Sequence, residues 1–411
     1  MKECFMKQGV CLVILALVLG GCPPWLFAAG APNADEIRLG MSTVLSGPAG
    51  NLGEDMRQGV LAGLERTNRA GGIHGRRISL IALDDGYEPA LTAPNMRELI
   101  ETDHVLAIIG NVGTPTAIAA IPICDERKTV FFAPFSGAGM LHKIPPDRYV
   151  FNYRASYAEE TAAMIDALID RGGLKPEEIA VLTQRDGYGD SGFRGVVTAL
   201  KRHGLKDEKR VLHVRYERNT LAVESALASL LFAEHQPRAV VMVGAYAPCA
   251  KFIRLAYEAG LKSLFLNVSF VGSNALAAEL GKLPVSVIVT QVVPYPLASE
   301  VPIVSEYQAD LKTLDPPVKP GFGSLEGYVA ARILVSALRR IPGLPTREDV
   351  VNALEGLGAF DVGLGSSEKL DFGPNNHDAS HTVWPTILRD GAFVPFNWAD
   401  IAALVEETSA P

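Results

Sequence analysis

Two glycine-rich stretches hold the residue types from which a site is most directly built. The first is Gly110-Asn111-Val112-Gly113-Thr114-Pro115-Thr116. Glycines let the backbone come close to a ligand, and Thr114 and Thr116 offer hydroxyls. A helix starting here adds unpaired N–H groups. Such a loop suits a carboxylate or another anionic or polar head group. A structural reading competes: Thr114 as helix N-cap with Pro115 in the first helical position. One residue can do both. The second stretch is Gly187-Tyr188-Gly189-Asp190-Ser191-Gly192. It matches the G-x-G-x-x-G dinucleotide fingerprint between a strand and a helix, with Glu217 ending the next strand. Asp190 opposes that use, because it puts negative charge where a pyrophosphate would sit. The glycines equally suit a plain turn into a helix. Gly189-Asp190-Ser191-Gly192 is also a serine-protease tetrapeptide, but such proteases are all-β and here it opens a helix.

His377, Asp378 and His381 are close together and read as a polar loop, or less readily as a metal site. The sequence has no G-x-S-x-G elbow, no Walker-type loop and no H-E-x-x-H. The lack of a recognisable acid, base and nucleophile set, together with the N-terminal export signal, argues against an enzyme. The sequence implies no cofactor and no metal.

The elements that must position these loops alternate regularly. Strands are expected at Ile37–Met41, Ile78–Leu83, Val105–Ile109 and Thr129–Ala133. Helices are expected at Glu54–Ala70, Pro89–Glu101 and Pro115–Arg127. A second cycle follows Tyr149–Tyr153. Its helices are Ser156–Arg171, Asp190–Arg202, Val223–Ala233 and Pro248–Ala259. Its strands are Ile179–Thr183, Val211–Tyr216, Ala239–Val243 and Leu264–Asn267. This rhythm implies α/β architecture, with parallel sheets covered by helices on both faces. Two cycles of similar size imply two doubly wound lobes. A third part carries an apolar run at Val285–Val293, helices at Ser305–Leu314, Ser324–Arg340 and Arg347–Leu357, and a hairpin turned by Asp390-Gly391. A proline-rich surface loop is expected over Leu314–Gly321, and a short tail after about Asp400.

The chain has 411 residues, more than one hydrophobic core usually holds, so two domains are expected. With 48% apolar and 20% charged residues it is globular in composition. A net charge of -8 and the absence of any Lys/Arg run argue against nucleic acid or anionic membrane as partner. The N-terminus reads as a secretory signal over residues 1–21, with Lys2 and Lys7 before an apolar run at Val10–Leu19. That run is shorter than the roughly 20 residues a membrane span needs. Leu19-Gly20-Gly21-Cys22 resembles a bacterial lipobox, making Cys22 a candidate lipid anchor; cleavage near Ala28–Ala31 is the alternative. The expected location is periplasmic, with or without that tether. Cys124 and Cys249 fall in different predicted lobes and read as small core residues.

The order of motifs resembles the periplasmic leucine/isoleucine/valine-binding proteins and their relatives, the type I solute-binding proteins of ABC transporters. The resemblance runs from about residue 37 to 395. It rests on Ser46-Gly47-Pro48, Gly53, Gly71-Gly72-Ile73-His74-Gly75-Arg76, Asp84-Asp85, Pro89 and Pro134-Phe135-Ser136-Gly137-Ala138. Phe151-Asn152-Tyr153-Arg154-Ala155-Ser156, Tyr188-Gly189 and Ala259-Gly260-Leu261 complete it. It implies the type I periplasmic binding protein fold, two lobes joined by a three-strand hinge. Lobe one would take 36–153 plus 292–362, and lobe two 154–291 plus 363–400. A small-molecule ligand would bind between them, and an inner-membrane ABC permease would receive it from a monomeric carrier. The same clamp could serve a periplasmic ligand sensor; an exported α/β enzyme is the more distant alternative.

The implied ligand contacts are Thr114, Thr116, Ser136, Gly137 and Ala138 from lobe one, and Tyr188, Tyr246, Ser269 and Phe270 from lobe two. Leu52 and Gln291 are secondary candidates. Two departures matter. Amino-acid binders of the family pair the ligand's ammonium with a lobe-two acid, yet Asn267–Gly272 holds Ser269 and Phe270 and no carboxylate. Asp186 and Asp190 are possible substitutes, or merely turn residues. A carboxylate without an amine is therefore as well matched as a free amino acid. Tyr87 and Gly113 stand where some amino-acid binders have a lobe-one disulfide.

Overall fold

The computed structural model describes residues 36–365 and 369–408; the expected signal sequence and the candidate anchor Cys22 lie outside the described residues. The first cycle comprises β1 (Glu36–Thr43), α1 (Gly50–Arg69), β2 (Arg77–Asp84), α2 (Pro89–Arg97), β3 (Ala107–Ile109), α3 (Thr114–Glu126), β4 (Val130–Phe132) and β5 (Val150–Phe151). The second comprises α4 (Tyr157–Asp166), β6 (Ile179–Gln184), α5 (Gly187–Arg202), β7 (His213–Tyr216), α6 (Glu224–Leu231), β8 (Ala239–Val243), α7 (Tyr246–Glu258), β9 (Leu264–Asn267), α8 (Ser273–Leu280) and β10 (Val287–Gln291). The third comprises α9 (Pro302–Leu311), α10 (Phe322–Leu338), α11 (Arg347–Glu355), β11 (Gly358–Phe360), β12 (Leu370–Phe372), β13 (Trp384–Arg389), β14 (Ala392–Pro395) and α12 (Ile401–Glu407).

The first sheet is parallel, in the order β2-β1-β3-β4-β5, and the second runs β14-β13-β10-β9-β8-β6-β7. In the second, β7 through β10 are parallel, while β13 and β14 are antiparallel additions. Each order reverses once, between β1 and β3 and between β6 and β8. At such switch points the connections leave to opposite faces and open a crevice beyond the strand carboxyl ends. The central strands β3, β4, β6, β8, β9 and β10 are buried throughout, as the apolar runs required.

The chain returns to the first sheet in its third part. α10 lies along α1 at a close approach set by Gly59, where a Cβ would come within 1.8 Å of the Ser324 carbonyl oxygen. The ends of the two cycles are tied by neighbouring crossing segments. Asn152 N–H donates to the His377 carbonyl, and Ala379 N–H and Ser380 N–H donate to the carbonyls of Asn152 and Tyr153. Asn152 Nδ2 also donates to Asp378 Oδ1 (2.7 Å).

Several expectations change. Packing against the first layer continues beyond residue 362. Phe372 packs edge-on against Phe132 and Phe151 of the first sheet, so the chain leaves that layer only over 377–383. The tail after Asp400 is helical as α12, because Ile401, Leu404 and Val405 bury an apolar face; α8 and the β11–β12 pair also went unpredicted. These elements are too short for their periodicity to stand out. The Asp390-Gly391 turn has both residues at positive φ, +50° and +79°, as a two-residue hairpin requires. His377 and His381 do not converge: His377 stacks on Phe151 (3.7 Å between centroids), while His381 pairs with Glu159 (2.7 Å). Among the described residues no helix is long and apolar enough to cross a membrane.

Gly59→Ala is expected to force α1 and α10 apart and to destabilise the fold by about 1–3 kcal/mol, the usual range for overpacking. Chemical denaturation checks this; an unchanged midpoint would contradict the close-approach argument.

Candidate functional site

The loops after β3 and β4 are zipped together by backbone. Phe135 N–H donates to the Asn111 carbonyl (2.7 Å) and Gly113 N–H to the Phe135 carbonyl (3.1 Å). This brings Thr114 Oγ1 to 2.7 Å from Ser136 Oγ, both buried. The N-cap of α3 is Gly113 and no side chain caps it, so the Thr114 hydroxyl is paired with Ser136 rather than with the helix. Gly113 has φ +104°, and a Cβ there would lie 2.1 Å from the Tyr87 ring. Tyr87 therefore covers this loop. It is itself held at positive φ by Asp85, which accepts from Tyr87 N–H (3.0 Å), Ser42 Oγ (2.8 Å) and Thr92 Oγ1 (3.0 Å). Asp85 thus serves as a mount for a buried tyrosine, while Asp84 accepts from Leu45 N–H (2.8 Å) and Gly86 N–H (2.9 Å).

The second sheet presents its own strand-end loops to these. Phe270 contacts Tyr87, Phe135 and Tyr188, with centroids 6.0, 5.5 and 4.5 Å away, and Tyr188 meets Tyr157 at 5.2 Å. Gln184 Nε2 donates to Tyr87 Oη (3.2 Å). Leu52 of α1 lies against Gly272, where a Cβ would be 2.4 Å from Leu52 Cδ2, and Tyr246 flanks the same glycine. At the mouth, Glu88 at the head of α2 accepts from Arg218 Nη2 and from Asn219 Nδ2, each at 2.6 Å, and Asn219 also donates to the Gly86 carbonyl (3.1 Å). The carboxyl ends of the two sheets thus meet face to face.

The floor of this cleft is ionic. Arg154, in the first crossing, is 1% exposed. Its guanidinium lies over the Phe135 ring (4.7 Å), Nη2 donates to Ser269 Oγ, and Nε is 3.4 Å from Glu326 Oε1 of α10. Nη1 has no hydrogen-bond partner. Glu160 of α4 accepts from Ser269 N–H (2.7 Å), Ser269 Oγ (3.0 Å) and Thr290 Oγ1 (2.6 Å). Burial raises the carboxyl of Glu160 and pushes that of Glu326 up to about 7, against the attraction of Arg154. Burial also lifts the Tyr157 hydroxyl to about 12. That hydroxyl faces Ser136 yet makes no hydrogen bond of good geometry.

Thr114, Ser136, Tyr188, Phe270, Tyr246 and Leu52 therefore gather at the cleft. Gly137 and Ala138 shape its loop: the Gly137 carbonyl accepts from Tyr157 N–H (2.7 Å), and Ala138 N–H donates to Ser136 Oγ (3.4 Å). Thr116 does not join them, because its hydroxyl donates back to the carbonyls of Val112 (2.5 Å) and Gly113 (2.9 Å). Gln291 is likewise structural, its amide donating to Ser273 (2.8 Å) and Thr386 (3.0 Å). Ser269 is at the cleft but is already bonded to Arg154 and Glu160. Sequence reasoning missed Tyr87, Arg154, Tyr157, Glu160, Gln184 and Glu326. The one available signal was Arg154, an arginine in the stretch that resembles the first crossing between lobes.

The glycines of the fingerprint-like stretch have a packing role. A Cβ on Gly189 would lie 1.9 Å from the Gln184 carbonyl oxygen, and Asp186 already caps the helix through Tyr188 N–H and Gly189 N–H. The site is then a cleft between two α/β layers, lined by hydroxyls, rings and one buried guanidinium.

The Periplasmic binding protein family model matches residues 36–392, and the chain belongs to that family. It is 26% identical over 401 residues to Leu/Ile/Val-binding protein homolog 7 of Brucella abortus, covering 93% of this chain and 96% of the relative. Among solved structures it resembles a possible leucine/isoleucine/valine-binding protein from Rhodopirellula baltica, with 48% identity, TM-score 0.85, and 90% and 98% of the two chains covered. A branched-chain amino acid ABC transporter protein from Thermus thermophilus with bound valine shares the fold, at 21% identity, TM-score 0.77, and 88% and 95% coverage. The chain thus belongs to a family of binding proteins and not of enzymes.

Glu88→Gln is expected to weaken the bridge at the cleft mouth, speeding ligand dissociation several-fold and leaving the unliganded fold intact. Stopped-flow dissociation checks this, and a wild-type off-rate would remove Glu88 from closure.

Proposed function

We propose that the protein captures a small organic solute in the cleft between two lobes, by hinge closure, and hands it to an inner-membrane ABC permease. The solute is a branched-chain or other amino acid, or a related carboxylate or amide. The observation that carries this reading is the Thr114–Ser136 hydroxyl pair, 2.7 Å apart, with the aromatic wall of Tyr188 and Phe270 supplied from the opposite sheet. Hydroxyls and loop N–H groups suit a polar head, and rings suit an apolar body. The names of the relatives support the same solute class, including a leucine-, isoleucine-, valine-, threonine- and alanine-binding protein of Pseudomonas aeruginosa, 23% identical over 256 residues.

In this reading lobe one is 36–153 with 292–362, to which 363–376 adds, and lobe two is 154–291 with the remainder. The carrier is periplasmic and monomeric, with a lipid tether at Cys22 as one form of it. Closure needs a ligand that favours the closed form by about 5.5 kcal/mol to turn a mostly open population into a mostly closed one. Groups from both lobes must share that ligand, which is why the hydroxyl pair and the facing rings belong to one site.

A thermal-shift screen of amino acids, amides, aromatic acids and dicarboxylates is expected to yield a compound that raises the melting temperature. With that compound, Thr114→Val and Ser136→Ala are each expected to cost about 1–2 kcal/mol of binding, roughly tenfold in affinity, while the unliganded protein stays folded. Calorimetry giving wild-type affinity for both variants would reject the pocket.

A further inference from the structure

We propose that Arg154 receives the anionic oxygen of the ligand, and that the ligand is a carboxylic acid carrying no ammonium group. This rests on the cleft reading above and narrows its solute class.

The argument begins with what remains unpaired. Arg154 is 1% exposed and its Nη1 has no hydrogen-bond partner, nor does Nε, which is 3.4 Å from Glu326 in poor geometry. A guanidinium has five N–H donors, and leaving them unmet in a buried site is costly. Beside it stand Phe135, Ser269 and Tyr157, and the Tyr157 hydroxyl also lacks a well-formed bond. A carboxylate placed there would accept from Arg154 and Tyr157, with Thr114 and Ser136 on the same side of the cleft.

Beside Arg154, among the described residues, an ammonium finds no carboxylate that is not already engaged. Asp186 is engaged by Tyr188 N–H, Gly189 N–H and Gln184 Nε2. Glu160 is engaged by Ser269 and Thr290. Glu326 faces Arg154 itself. The amide of Asn267, at the end of β9, is buried and unpaired at both ends, but a neutral acceptor does not offset a buried positive charge.

Glu326 competes with the ligand for Arg154. The charged groups around it are Arg154 from the crossing, Glu160 from α4, and Asp55 from α1, which lies against Gly323 one turn earlier in α10. When Glu326 ionises, it weakens the pull of Arg154 on an incoming anion. Acid binding is therefore expected to fall as pH rises through about 7.

The test uses full-length mature protein and a panel of branched aliphatic and aromatic monocarboxylates, each with its primary amide and its α-amino acid. The proposal expects an acid to bind about 100-fold tighter than its amide and its amino acid. Its affinity should drop several-fold from about pH 6 to about pH 8 in wild type and stay level in Glu326→Gln. Arg154→Gln combined with Glu326→Gln avoids stranding Glu326. It should melt as a folded protein and lose about 100-fold in acid affinity. An amino acid or amide binding best overturns the proposal and leaves the cleft reading standing. Unchanged acid affinity in the folded double variant also overturns it. If no compound of the panel or of the wider screen binds, both readings fall together.

Discussion

One buried guanidinium ties the molecule together. Arg154 sits in the first crossing and touches three separate parts of the chain: Phe135 from the loop after β4, Ser269 after β9, and Glu326 on α10. A buried charge is tolerated only where it is paired, and here each partner comes from a different part of the fold. The crossing, the first sheet with its returning helix, and the second sheet are thereby held in one arrangement. Glu160 extends the network by clamping Ser269 against Thr290 on β10. The charge is thus a structural junction at the floor of the cleft.

The rest of the site is built by subordinate devices that orient rings and hydroxyls. Asp85 holds Tyr87 in a left-handed backbone conformation, and Gly113 leaves room for its ring. Backbone bonds between the β3 and β4 loops set the Thr114–Ser136 pair. Asp186 caps α5 and so presents Tyr188 to Phe270. In each case a polar group fixes the backbone while the neighbouring ring or hydroxyl faces the cleft. That division suits a protein that must close on a solute without reacting with it.

The mouth of the cleft has a contact of its own. Glu88 meets Arg218 and Asn219 across the mouth, where the partners are partly exposed and salt screens them. The floor network is fully buried, so it is far less sensitive to ionic strength.

Much of this was legible from residue types alone. Alternating apolar runs and amphipathic stretches gave both parallel sheets, because strand burial and helix faces leave periodic traces. The loops at the strand ends were legible too, since glycine, proline and threonine at helix starts mark them, and Thr114, Ser136, Tyr188 and Phe270 all reached the cleft. What tertiary structure decided was which polar groups were still available. Thr116 and Gln291 carried suitable side chains, but nearby carbonyls took the hydrogen bond of Thr116, and the hydroxyls of Ser273 and Thr386 took those of Gln291. Glu326 and Tyr87 showed no local signal, because their place in the cleft depends on α10 returning to α1 and on a turn set by Asp85. Sequence by itself determined the layers, the loops and the solute-binding class. Hydrogen-bond completion among residues far apart in the chain, which no local pattern encodes, decided the charge at the heart of the site.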